Sequence, residues 1–120
     1  MTNVLGLATV TLMLAIGQVL FKRVGVAIRG VPISSALSIV LRQPTFYVSL
    51  LLYGLATLLW IWILSRVPLS QAYPWVAMTI VLVSLCGWWL FGERPSPAFW
   101  LGLVLITIGL VITQFSAGSR

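Results

Sequence analysis

The chain has 120 residues, 61% of them hydrophobic and 7% charged, with a net charge of +6 at neutral pH. So little polar surface cannot cover a globule in water, which excludes an ordinary soluble domain. The basic residues stand where apolar runs end, a pattern of headgroup contact and topology control, so no nucleic-acid partner is expected.

The eight charged residues (Lys22, Arg23, Arg29, Arg42, Arg66, Glu93, Arg94 and Arg120) leave four apolar runs between them: Val4–Phe21, Phe46–Ser65, Ala72–Phe91 and Ala98–Phe115. At about 1.5 Å per residue, runs of this length reach roughly 27–30 Å, the thickness of the bilayer's hydrocarbon core. The expected fold is all-α: a polytopic membrane protein with four transmembrane helices in an up-down bundle. Residues 1–120 are read as a single transmembrane domain. The first run is read as a retained span, because Met1-Thr2-Asn3 offers no basic side chain for a leader and three further spans follow.

In span one the small residues Gly6, Ala15 and Gly17 mark a packing face, since helices in lipid associate through close backbone approach. The stretch Val31–Leu41 of the first loop is largely apolar but too short to span. Pro32 suits a helix start and Pro44 a stop, which leaves a short interfacial helix and a plain connecting loop both open. The loops Arg66–Gln71 and Gly92–Pro97 have room only for antiparallel neighbours. Cys86, the single cysteine, lies mid-span in the third run as a small packing residue. In span four Gly102 and Gly109 are seven apart and share one face, suited to helix pairing or to contact between copies. Residues 22–45 and 92–97 carry five basic side chains, against Arg66 and Arg120 on the opposite side. The positive-inside bias predicts a cytoplasmic first loop and both termini outside.

The inventory of reactive groups is short. With no histidine, one carboxylate, one thiol and no glycine-rich phosphate loop, the paired acids, triads, metal clusters and nucleotide sites of enzymes cannot be assembled. Neither catalysis nor a cofactor nor a metal site is expected. No run contains a carboxylate to carry a coupled proton, so an organic cation would meet no buried negative charge, and an anionic substrate fares better. Lys22 and Arg23 end span one and Arg66 ends span two, which puts cationic groups at both headgroup levels. They serve either as snorkelling anchors or as receivers of a lipid phosphate. Glu93 pairs with Lys22 or Arg23, contacts a substrate, or acts as a coupling group. Most of the six tryptophans read as interfacial anchors. Trp60 and Trp75 flank the second loop together with Tyr73 and are candidates to face an internal cavity. Gln18, Ser49, Thr57, Ser65, Ser70, Gln71 and Thr79 either line a polar interior or bond within the helices.

Three stretches carry a resemblance: Ala15-Ile16-Gly17-Gln18-Val19-Leu20-Phe21-Lys22, Val67-Pro68-Leu69-Ser70-Gln71-Ala72-Tyr73-Pro74, and Leu90-Phe91-Gly92-Glu93-Arg94-Pro95-Ser96. With Trp100-Leu101-Gly102 and Ile108-Gly109 behind them, the chain resembles the drug/metabolite transporter superfamily, in its four-helix, small multidrug resistance-like or EamA-type members. The small multidrug exporters carry an essential glutamate just before the Ile-Gly that matches Ile16-Gly17. Here that position is Leu14, which argues against proton-coupled cation export; their aromatic contact at the start of span three does match Tyr73. Among members without the glutamate, the chain looks most like the paired subunits that flip aminoarabinose-phosphoundecaprenol.

That resemblance implies a flippase or flippase subunit for a polyprenyl-phosphate-linked sugar in the bacterial inner membrane. It also implies a dimer, either with itself or with a similar four-helix subunit. The expected substrate contacts are Lys22, Arg23, Arg66, Gln18, Tyr73, Trp60 and Trp75, the phosphate meeting the cations and the tail staying in lipid. Two other readings compete. One is a small-solute exporter using Trp60, Tyr73 and Trp75 with Glu93 as coupling group, and the other is a non-transporting scaffold that binds larger membrane proteins through its glycine faces.

Overall fold

A computed structural model of the chain describes residues 2–118, with side chains over 3–116. It contains five helices: α1 (Thr2–Ala27), α2 (Ile33–Leu41), α3 (Pro44–Leu64), α4 (Leu69–Leu90) and α5 (Pro97–Gly118). All but α2 are long and apolar enough to cross a membrane. The protein is thus an all-α, multi-pass membrane protein.

The helices outrun the apolar stretches. The 26 residues of α1 extend past Phe21 to Ala27, roughly 39 Å at 1.5 Å per residue. Lys22 and Arg23 therefore sit on helix rather than in a loop, and the excess over the hydrocarbon thickness is accommodated by tilt or by projection into the headgroups. The first loop folds its apolar stretch as α2, with Pro32 as N-cap. Ile33, Leu37 and Leu41 recur at four-residue spacing and are exposed, the apolar stripe of an interfacial helix. Pro44 does not act as a stop: α2 ends at Arg42, and Pro44 stands at the first position of α3. There its missing N–H would have no intrahelical partner in any case. The Tyr47 hydroxyl donates to the Leu41 carbonyl at 2.8 Å and ties α2 to α3.

α1 is the central element. It packs against α3 on one side and α4 on the other, and α5 packs on the far side of α4. The order α3–α1–α4–α5 makes a slab with extents of 52 × 37 × 20 Å. At the end carrying the tight α3–α4 turn, Leu7, Val10, Ile63, Val67 and Ala72 form a buried cluster. Close approach does the joining, as expected in lipid. A Cβ on Gly6 would stand 3.1 Å from the Ile63 side chain, and the buried Thr11 hydroxyl bonds across to the Trp75 carbonyl at 3.0 Å. Away from the turn, α3 and α4 touch little. Joined by that turn and otherwise largely apart, they bound a wedge floored by α1, which packs on both.

α5 packs mainly on α4. The Gln114 side-chain amide donates to the Gln71 carbonyl at 3.3 Å near one end. A Cβ on Gly102 or Gly109 would meet nothing within 4 Å, so this glycine face packs on nothing among the described residues. Arg120, one of the two basic residues assigned to the outer side, lies outside the described residues.

Candidate functional site

Residues 14, 18, 21, 22 and 25 follow one another at helical spacing along α1, so they line the face that floors the wedge. Two cavities lie on that face. Beneath the closed end, a cavity of about 200 Å³ is bounded by Val10, Leu14, Ala56, Thr57, Trp60 and Tyr73. Toward the first-loop end, one of about 400 Å³ is lined by Gln18, Phe21, Lys22, Cys86, Gly87 and Glu93. Leu14, where a coupling carboxylate would have to stand by resemblance, contributes only a hydrocarbon wall.

Tyr53 stands between the two levels. Its ring stacks on Phe21 with centroids 4.9 Å apart, and lies so close to Gly17 that any side chain there would overlap it. The Tyr53 hydroxyl is buried; the Gln18 side chain lies beside it without reaching hydrogen-bond geometry. The Thr79 hydroxyl is likewise buried and unpartnered. By contrast, Thr9, Ser49, Thr57, Ser84 and Thr107 return their hydroxyls to carbonyls four residues back. Most interior hydroxyls thus serve their own helix, and Tyr53 and Thr79 stand out as buried hydroxyls with capacity to spare.

The larger cavity opens at a charged mouth. Lys22 Nζ lies 3.6 Å from Glu93 Oε2. Glu93 follows Gly92, whose φ of +67° is the left-handed conformation that ends a helix without a Cβ penalty. The N–H groups of Phe91 and Glu93 both donate to the Gly87 carbonyl, at 3.3 and 3.2 Å. The Glu93 carboxylate then rests in the space that a side chain at Gly87 would occupy. Arg23, one residue on from Lys22 and about 100° around the helix, lines a separate recess with Gln43, Thr45 and Phe91.

The structure divides the remaining candidates. Trp60 and Tyr73 meet edge-on, with centroids 6.2 Å apart, at the smaller cavity. Trp75 is two residues from Tyr73 and so faces the other way. It lines an apolar cavity between α4 and α5 with Met78, Leu110 and Phe115. Arg66 sits on the α3–α4 turn with its guanidinium 4.4 Å from the Trp62 ring centroid, a cation–π contact at the outer surface of the bundle. Tyr53, which packs on Gly17 and Phe21, and Gly87, in the wall of the larger cavity, have no motif to announce them; only the pairing of helices shows their places.

Residues 2–115, nearly the whole chain, match the EamA-like transporter family. The chain belongs to that family. Relatives agree in kind. A probable 4-amino-4-deoxy-L-arabinose-phosphoundecaprenol flippase subunit ArnE from Pectobacterium atrosepticum is 34% identical over 110 residues, covering 89% of this chain and 93% of that protein. Proteins of the same name from Sodalis glossinidius and Klebsiella pneumoniae are 45% and 41% identical over 64 residues, 53% of this chain and 58% and 57% of theirs. No solved structure matches the chain significantly.

Proposed function

We propose that this chain is a subunit of a flippase that carries a polyprenyl-phosphate-linked amino sugar across the bacterial inner membrane. The observation that carries the reading is the character of the groove: hydrogen-bonding and aromatic along its length, free of acid at Leu14, and opening at Lys22. A phosphate at that mouth meets an ammonium group, sugar hydroxyls meet Gln18 and Tyr53, and the ring meets Trp60 and Tyr73. The polyprenyl tail stays in lipid, so only the head crosses. Relatives named as flippase subunits for 4-amino-4-deoxy-L-arabinose-phosphoundecaprenol support the same substrate class.

Four helices of this length enclose too little space for such a path, so one chain supplies only part of it. The functional unit is therefore a dimer, with itself or with a similar four-helix subunit. Its contact includes the uncovered Gly102–Gly109 face of α5. Rocking of the subunits would alternate access to the groove. The first loop lies in the cytoplasm, with Lys22 receiving the phosphate there and Arg66 releasing it at the far headgroup level.

Mass spectrometry of lipids copurified with the wild type and with Lys22→Ala tests the proposal. The wild type should retain a polyprenyl-phosphate sugar and Lys22→Ala should lose most of it. A wild type that retains no polyprenyl-phosphate species would refute the reading.

A further inference from the structure

Glu93 is the only acidic residue in the sequence, and its setting exceeds what a helix stop requires. Gly92 alone suffices to end α4. The glycine one turn earlier, Gly87, is buried and leaves room for the Glu93 carboxylate at the cavity mouth. Its partner there is weakly engaged. The 3.6 Å separation from Lys22 exceeds the 2.7–2.9 Å of a charge-assisted hydrogen bond, and the two side chains are 43% and 51% exposed. So exposed a pair adds little to stability. It is better described as two opposite charges held side by side and available to a ligand.

The sign of that ligand follows. A purely anionic head would take Lys22 and find Glu93 repelling it, whereas a purely cationic one would meet the reverse. A head that carries both charges satisfies both groups and leaves the mouth neutral.

Resting on the proposed flippase reading and sharpening it, we propose that Lys22 and Glu93 form a two-point site for a zwitterionic headgroup. Lys22 takes the phosphate and Glu93 the ammonium group of an amino-sugar phosphate. Glu93 is then the residue that distinguishes an amino sugar from a neutral one. The cavity behind the pair, about 400 Å³ with Gln18 and Phe21 in its wall, falls in the range of small-molecule sites. A phosphoethanolamine headgroup carries the same two charges, so the test must separate the two sources.

The experiment measures binding of a short-chain polyprenyl phosphate bearing a 4-amino sugar, as the free amine and as the N-acetyl derivative. The protein is held in nanodiscs of phosphatidylglycerol, with and without phosphatidylethanolamine. The wild type should prefer the free amine by on the order of tenfold, the ratio that one charge-assisted contact commands. Glu93→Gln should bring that ratio to about one or below, weakening the amine form and, with the repulsion gone, strengthening the purely anionic N-acetyl form. Gly87→Ala, which keeps the carboxylate but crowds its seat, should lower the ratio as well, and it decides the matter if Glu93→Gln does not survive purification. A wild type that binds both forms equally, or a Glu93→Gln protein that keeps its preference, overturns this inference while the flippase reading stands. Binding of neither form overturns both. Phosphatidylethanolamine that abolishes amine binding at membrane concentration overturns the assignment to the sugar.

Discussion

Replacing Gly17 with alanine tests whether the groove depends on the seat of Tyr53. A Cβ at this position would stand 2.9 Å from Cδ2 and 3.3 Å from Cζ of the tyrosine ring, and closer still to Cε2. Ordinary carbon contacts lie at about 3.5–4.0 Å, so the ring has to retreat and lose its register on Phe21. Overpacking of this kind costs about 1–3 kcal/mol, while alanine in place of glycine returns about 1 kcal/mol of helix propensity. Gly54→Ala is the matched control, one residue from Tyr53 on α3, where a Cβ meets nothing within 4 Å. Only the propensity gain should appear there. The difference between the two variants isolates the ring displacement, about 1–3 kcal/mol or roughly 4–12 °C in melting temperature for a domain of this size. A thiol-reactive dye reporting exposure of Cys86, the single and half-buried cysteine, supplies the melting curve in detergent. Adding Tyr53→Ala to both backgrounds should erase the difference, because the clash then has no second party. Equal melting of Gly17→Ala and Gly54→Ala would refute the close-packed seat.

Tyr53→Phe should stabilise the protein by up to about 1–3 kcal/mol, since it deletes a buried hydroxyl without a partner, and should slow lipid flipping in proteoliposomes; full transport would contradict a groove role. Thr11→Val removes the bond to the Trp75 carbonyl and should cost about 0.6–1.7 kcal/mol in a melting assay. Thr9→Val, whose hydroxyl bonds the Leu5 carbonyl of its own helix, should melt close to the wild type. Gly109→Leu should convert a dimer to monomer by light scattering with unchanged melting of the monomer, because the position meets no atom of its own chain.

The spans were legible because charges bracket the apolar runs, and a bilayer leaves few alternatives for such runs. The small residues Gly6 and Gly17 also sit where close approach was expected, against Ile63 and Tyr53. Proline was ambiguous for a physical reason: Pro44 lies between two helices, and a fixed φ with no donor suits the start of one as well as the end of another. Trp75 was grouped with Trp60 and Tyr73 by nearness in sequence. Helical phase places residues two apart on nearly opposite faces, and it separates Trp75 from the other two. Gly87 and Tyr53 could not be found in this way. The glycine matters because a carboxylate six residues later folds back onto it, and the tyrosine because another helix offers it a glycine and a phenylalanine. Such relations are set by tertiary pairing, which a single sequence does not display.

Leu14 is where the absence of a charge matters most. In the proposed flippase a phosphate moving along the α1 face would pass Gln18 and then Leu14 on its way between the Lys22 and Arg66 levels. Losing water in this passage costs an anion several kcal/mol, offset here only by neutral dipoles and aromatic edges. A carboxylate at Leu14 would add repulsion inside the bundle, in the wall of the smaller cavity. At about 5 Å and an effective dielectric of about 20, that term is roughly 3 kcal/mol, or about two orders of magnitude in rate. An acid at this depth serves a carrier of cations, which need a buried counter-charge. In a groove for anions it opposes transport, and the favourable place for a single acid is the aqueous mouth. Glu93 occupies that mouth.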